Sequence, residues 1–327
     1  MKGKHRIIIE TERLRFEFEI KRNITIVQGN SATGKTTLVD LIQTYGRYKS
    51  RSGIRMVSDV SCVVFSGDSF FWKSALHAIQ DSIVFIDEDY AFIYSTDFAH
   101  EVENSSNYFV LITRQPLYNL PYSINEIYGI RTSGRYHYPE KIYHEFYSIY
   151  KETELHKNNN VILMVEDEKS GFQFFSRAFP KAECKSGGGN SSLVSRLDEI
   201  PLEKTAVVIA DGAAFGAYIS KVVAIATDRK NLGMYFPESF EWIILRSGVL
   251  NIKDIDSILA HPEEYIQSNR YFSWERYFTD LIESVTRDDI VRRYSKSNLN
   301  SFYLDGKNKE AIVKVLPEEL RYILSSE

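Results

Sequence analysis

Residues 24–42 read ITIVQGNSATGKTTLVDLI, and no other stretch constrains the fold so tightly. A short β-rich run feeds straight into a glycine-bounded loop. Leu38, Leu41, Ile42 and Tyr45 then repeat at helical spacing. Gly29, Gly34, Lys35 and Thr36 fall on G-x-x-x-x-G-K-[ST], the pattern of a phosphate-binding loop. Such a loop needs a strand before it and a helix after it, because N–H groups of the loop and of the first helical turn must converge on phosphate oxygens. The nucleotide-binding candidates are therefore Gly29, Asn30, Ser31, Ala32, Thr33, Gly34, Lys35, Thr36 and Thr37. Lys35 is expected at the β- and γ-phosphates and Thr36 at Mg²⁺. A glycine turn that matches by accident is the alternative.

The rest of the N-terminal half alternates strand and helix. Leu14, Phe16, Phe18 and Ile20 alternate with charged residues, the period of a strand with one wet face. SCVVFSG (61–67), SIVFIDED (82–89) and YFVLITR (108–114) read as strands, with helices over 71–79 and 96–104. INEIYGIRTSGRYHY (124–138) reads as a hairpin turning at Ser133-Gly134. KETELHKNNN (151–160) is polar and charged and marks a domain boundary. A second alternation follows: strands over 161–168, 206–212 and 240–250, helices between them, and helical patterns from about 253 onward. The expected fold class is α/β. A P-loop ATPase domain with a mostly parallel sheet spans 1–150, a linker spans 151–160, and a smaller α/β domain with a helical C-terminal extension spans 161–327.

Composition narrows the partners. The net charge is −4, so no global field draws the chain to nucleic acid or to an anionic membrane. The two cysteines, Cys62 and Cys184, form no disulfide framework or metal spacing, which suits a reducing cytoplasm. MKGKHRIIIETE lacks the apolar core of a signal peptide, roughly 7–15 residues long. The apolar stretch 207–227 holds Asp211 and Lys221, so it reads as strand, loop and helix rather than a membrane span. A cytoplasmic chain without a membrane partner is expected.

A phosphate loop calls for an acidic strand end, and IVFIDED supplies it. Asp87 follows four apolar residues, where an Mg²⁺-holding acid belongs. Glu88 is next, where a carboxylate would polarise the attacking water. A plain acidic strand end at the surface is the alternative. VLITRQ then brings Thr113 and Arg114 towards the γ-phosphate. This order resembles ATP-binding-cassette-type ATPases, including those of overcoming-lysogenization-defect (OLD) nucleases. By that resemblance Arg114 stands where a γ-phosphate-sensing His would be, and Glu88 and Arg114 are the catalytic candidates. A surface charge is the alternative for Arg114. Asp87 follows Thr36 by only 51 positions (87 − 36), and no Ser-Gly-Gly signature lies between residues 37 and 81, so the ATPase is of a reduced type.

The C-terminal half resembles Toprim domains. VILMVEDEKSG ends a strand with Glu166, Asp167 and Glu168. VVIADGAAFG ends another with Asp211 and Gly216 at the spacing of D-x-D-x-x-G, except that Ala213 replaces the second Asp. The resemblance implies a divalent-metal centre on Glu166 and Asp211, with Asp167, Glu168 or Glu238 as substitutes for the lost ligand and Lys169 as a candidate basic partner. An α/β domain with acids at its strand ends is the alternative. KSGGGNSSLVSRL (185–197) reads as a loop capped into a helix by Asn190 and Ser191. The aromatic run YFSWERYF (271–278) reads as a buried helix face more readily than a base-stacking platform.

Taken together, the expectation is an ATP- and Mg²⁺-dependent ATPase coupled to a Toprim-like domain that acts on or binds nucleic acid, in the phage-defence or mobile-element setting the resemblance implies. Rival readings are an ATP-dependent regulatory or sensor protein whose Toprim-like domain only binds a protein partner or a second copy, and a small-molecule kinase.

Overall fold

The computed structural model describes residues 1–29, 33–137, 141–150, 161–229 and 231–325. The chain divides into two units. The first joins Met1–Tyr150 with His261–Ser273, and the second joins Lys151–Ala260 with Trp274–Glu327.

The first unit carries strands β1 (His5–Glu10), β2 (Leu14–Ile20), β3 (Ile24–Val27), β4 (Arg55–Val57), β5 (Ser61–Val64), β6 (Ser82–Asp87), β7 (Tyr108–Ile112), β8 (Ile127–His137) and β9 (Lys141–Ser148), with helices α1 (Lys35–Tyr48), α2 (Trp72–His77) and α3 (Thr96–Glu103). They form one nine-stranded sheet in the order β4-β1-β2-β9-β8-β3-β7-β6-β5. Its pairs are parallel except β1–β2, β1–β4 and β8–β9. The period-two pattern of β2 does what it predicts: Phe16, Phe18 and Ile20 are buried. They share a core with Ile7 and Ile9 of β1, Leu38 and Ile42 of α1, and Val110 and Ile112 of β7. The runs of β6 and β7 are buried on both faces and so read as unbroken apolar sequence.

Register matters more than order here. Ile112 pairs with Val27 on one side and Asp87 on the other. The end of β3, the end of β7 and the first acid of β6 thus lie in one row, and β7 stands between the glycine loop and the acids.

The second unit carries β10 (Val161–Val165), β11 (Glu183–Ser186), β12 (Thr205–Ile209) and β13 (Leu232–Tyr235) in an all-parallel sheet of order β11-β10-β12-β13. Its helices are α4 (Ser170–Ala178), α5 (Asn190–Leu197), α6 (Gly216–Asp228), α7 (Phe240–Arg246), α8 (Ile255–Ala260), α9 (Trp274–Thr286), α10 (Ser301–Leu304), α11 (Gly306–Lys314) and α12 (Glu318–Ser325). Val165 pairs with Ser186 and Ile209, and Ile209 pairs with Tyr235, so these strand ends also form one row.

Four expectations need correction. The apolar run at 240–250 is not a strand but α7, started by Ser239, whose Oγ accepts from Trp242 N at 3.1 Å. Ile243, Ile244 and Leu245 are all buried, so the run lost the one-sided helical period and looked like a core strand. The fourth strand is instead LGMY, β13. The hairpin does not turn at Ser133-Gly134, because β8 runs through both with a register shift between Thr132 and Tyr136; its connection, 138–140, lies outside the described residues. Helix α5 starts after Gly189 with no side-chain cap, so Asn190 and Ser191 are its first residues and not its cap. Residues 261–273 belong to the first unit. Gly3 N donates to Glu263 O at 2.7 Å, Ser268 N to Met1 O at 2.9 Å, and Asn23 Nδ2 to Phe272 O at 2.8 Å. Long-range hydrogen bonds decide that assignment, and no local pattern encodes them. The linker expected over 151–160 lies outside the described residues. In the aromatic run Phe272, Trp274 and Phe278 are buried, but only Trp274 and Phe278 lie on a helix, α9, while Phe272 belongs to the segment of the first unit.

Candidate functional site

Strand β3 delivers the loop and α1 receives it. Gly29 and Gly34 have φ of 142° and 98°, a region that L side chains rarely adopt, so glycine at both ends is a backbone requirement. Gly34 is the N-cap of α1 and its O accepts from Leu38 N at 2.9 Å. The N–H groups of the first turn, at Lys35, Thr36 and Thr37, have no intrahelical acceptor, and that turn holds no acidic residue to compete for an anion. Lys35 Nζ arches back over the loop, donating to Gly29 O at 2.6 Å and Thr33 Oγ1 at 3.2 Å. Asn30, Ser31 and Ala32 lie outside the described residues.

Three side chains from two other strand ends converge on this lysine. Burial lowers the Lys35 pKa, Arg114 lowers it further, and Glu88 and Asp87 oppose them. All three side chains are therefore within electrostatic reach. Asp87 Oδ1 accepts from Glu88 N at 2.7 Å, and burial holds the Asp87 pKa above the usual carboxylate range. Arg114 grips Glu88 twice, through Nε to Oε1 and through its backbone N to Oε2, each at 3.1 Å. Thr113 is turned inward, with Oγ1 3.1 Å from the Tyr94 hydroxyl. It shapes the strand end and leaves Arg114 as the outward-facing group.

Beside the loop is an open cavity of about 380 Å³ lined by Leu14, Thr33, Gly34, Lys35, Thr36, Thr37, Arg114 and His144. That volume lies within the range of small-molecule sites, roughly 300–1,000 Å³. The sequence reading missed Leu14 and His144. Phe16 and His144 are partners across the parallel β2–β9 pair, and their rings stack at 4.5 Å and 11°. A Cβ on Gly34 would sit 3.6 Å from Phe16 and 3.7 Å from His144, so the end of the loop rests on this stacked pair. His144 Nδ1 is buried without a hydrogen-bond partner among the described residues, and burial lowers the ring's pKa. Alternation along β9 could suggest which face His144 takes. Its pairing with Phe16 is fixed only by the sheet.

In the second unit Glu166 and Asp211 do come together. Glu166 N donates to Ile209 O at 2.9 Å, Glu166 Oε2 accepts from Asp211 N at 3.0 Å, and Asp211 Oδ1 accepts from Phe240 N at 3.0 Å. Burial, then neighbouring carboxylates, push Glu166 up to about 7, and they hold Asp211 well above the carboxylate range. Of the expected substitutes, Asp167 lines the same small cavity but accepts from Gly171 N and Phe172 N at the start of α4, and Glu168 is exposed. Ala213 is buried. Gly212 is required by close approach, since a Cβ there would meet Phe236 O at 2.7 Å and Pro237 O at 2.9 Å.

The basic partner of these acids is Lys296, not Lys169, which is exposed at the N-cap of α4. Lys296 Nζ donates to Glu275 Oε1 at 2.6 Å and lies 3.7 Å from Glu241 Oε1. Lys296, Glu241 and Glu275 carry no local motif and come from three separate segments, so nothing in the sequence pointed to them as a group.

No protein-family model, curated protein or solved structure matches the chain. Among the described residues no helix is long and apolar enough to cross a membrane.

Proposed function

We propose that the first unit binds and hydrolyses ATP with Mg²⁺, and that the second unit, Toprim-like in its strand order, engages nucleic acid. One observation carries the first half: a lysine at a glycine-bounded helix start lies within electrostatic reach of two acids and an arginine from the next two strand ends. Lys35 and the N–H groups of the α1 start would hold the β- and γ-phosphates. The Thr36 hydroxyl and the Asp87 carboxylate fit Mg²⁺, which takes one or two protein oxygens and leaves the rest of its shell to phosphates and water. Bound there, the ion supplies positive charge to phosphate oxygens as the bond to the leaving group breaks. Glu88 orients a water and takes its proton. Arg114, already seated on Glu88, moves from carboxylate to γ-phosphate as a charged planar donor.

The acid pair favours water as the nucleophile over a small-molecule kinase reaction, because Glu88 is a second carboxylate beyond the one needed for Mg²⁺. For the second unit, buried Ala213 in place of an acid favours binding of nucleic acid over cutting it. Calorimetry of ATP on the full chain, paired with phosphate release, tests the proposal. Micromolar binding with turnover that depends on Mg²⁺ supports it. No ATP binding by the folded chain refutes it.

A further inference from the structure

A Toprim-like centre implies a divalent cation between its acids, and the residues here do not fit one. Mg²⁺ demands near-octahedral oxygen ligands at about 2.0–2.1 Å and usually keeps several of its waters. The cavity at Glu166 and Asp211 has a volume of about 20 Å³. That is room for about one water. One oxygen of each acid is already spent on a backbone N–H. The position where a further acid would complete the set is buried Ala213. Among the described residues no group of three acidic, histidine or cysteine side chains is arranged to hold a metal ion.

What the centre has instead is an ammonium. Lys296 lies among Glu275, Glu241 and, at longer range, Asp211 and Glu166. Burial works to lower its pKa, and Glu241, Glu275 and Asp211 together overcome that and hold it above the ordinary lysine value. The lysine is delivered by a pinned loop. Lys296 O accepts from Ser170 N at 2.9 Å, Ser297 O from Gln173 Nε2 at 3.0 Å, and Gln173 Oε1 from Leu299 N at 2.9 Å, so the loop is locked to α4. Two residues earlier, the Tyr294 hydroxyl stands 2.5 Å from Glu241 Oε1 and 2.8 Å from Ser170 Oγ. Helix α7 brings Glu241 to this point with no exposed surface, and its Oε2 is buried without a partner among the described residues.

We propose that Lys296 is the resident cation of this centre, a tethered ammonium that stands in for a divalent metal and keeps metal out. The inference rests on the acid cluster of the second unit and not on the nucleotide site of the first. It makes the second unit metal-independent. With Lys296 held against Glu275 and Glu241, the centre acts as a fixed part of a binding surface and not as a phosphodiester-cleaving site.

Removing the ammonium should therefore create a metal site. Glu241 and Glu275, which the ammonium now contacts, would be left to draw an ion into its place. The experiment titrates Mn²⁺ into the nucleotide-free full chain by electron paramagnetic resonance, in an Asp87→Asn background that weakens the first unit's claim on the ion. The chain with Lys296 is expected to bind no stoichiometric Mn²⁺ below about millimolar concentration, and Lys296→Arg is expected to behave alike. Lys296→Gln should bind one Mn²⁺ at least 10-fold more tightly, and adding Glu275→Gln should abolish that gain. Lys296 is 27% exposed, so the substitution does not bury the new amide completely. If Lys296→Gln is poorly folded without metal, Mn²⁺ should raise its melting temperature and leave that of Lys296→Arg unchanged. Mn²⁺ binding by the Lys296 chain that disappears with Glu166→Gln overturns the proposal. So does a Lys296→Gln chain that neither binds Mn²⁺ nor is stabilised by it.

Discussion

Both units line acids along the carboxyl edge of a parallel sheet, where α/β folds gather their sites, and they balance those acids in opposite ways. In the first unit Asp87 and Glu88 share an edge with Lys35 and Arg114, and Lys35 and Arg114 also line an open cavity. In the second, Glu166, Asp211, Glu241 and Glu275 surround one lysine beside a space for about one water. The first arrangement leaves charge and room for a ligand. The second fills the place of a ligand cation with Lys296 and leaves room for little else. Equal acidity at two sheet edges thus says little about chemistry until the counter-charge is located.

The sharpest way to break this contrast is at Glu88. Glu88→Gln should slow ATP hydrolysis by about 10²–10⁴-fold, the usual cost of losing a general base, with ATP affinity kept. Unchanged phosphate release would remove Glu88 from the chemistry and make the first edge as inert as the second. Next, Lys35→Ala should weaken ATP binding by about 10²-fold, since each hydrogen bond to a charged group contributes roughly 1.5–3 kcal/mol. Calorimetry on a mutant with an unaltered melting temperature reads this directly, and equal affinity would end the nucleotide assignment.

The second edge makes a smaller prediction through pH. The folded pKa of Glu166, raised to about 7, lies above its ordinary value of 4.5, so the folded chain binds the extra proton. That stability is fully present below about pH 4.5 and is lost as pH rises through about 7. Denaturant melts should show a decline on the order of 1 kcal/mol between pH 5 and 8. Glu166→Gln should reduce the decline and leave the part that the raised Asp211 contributes, and an unchanged slope would assign the titration to another group. Smallest is the cap that aims Glu241. Ser239→Ala removes the acceptor for Trp242 N and should cost about 1 kcal/mol. A neutral result in the same melts would mean that packing alone starts α7.

The contrast also separates what the sequence could tell from what it could not. The loop residues and the Asp87-Glu88 pair were readable because each lies within one strand–turn unit, where spacing and chemistry coincide. The same holds for Glu166 and Asp211, whose apolar runs announce parallel strands. Lys296 was unreadable because it approaches the acids through a loop locked to α4 by hydrogen bonds far apart in sequence. The Phe16–His144 stack depends on the register of a parallel pair, which no local pattern states. Helix α7 was hidden by its own burial, since of its seven residues only Arg246 is exposed and no polar face develops.

The strap formed by residues 261–273 bears on how the chain is made. Met1 O, Gly3 N and the Asn23 amide all find partners in that segment, so the first unit stays incomplete while the ribosome builds most of the second. Nascent chains halted before residue 261 should hold the glycine loop in a unit that still lacks its last hydrogen bonds, open to chaperones and proteases. By the same connectivity, one cut between residues 150 and 161 leaves each fragment holding a part of the first unit. A gene carrying only residues 1–150 would encode the nine-stranded sheet without its fastening.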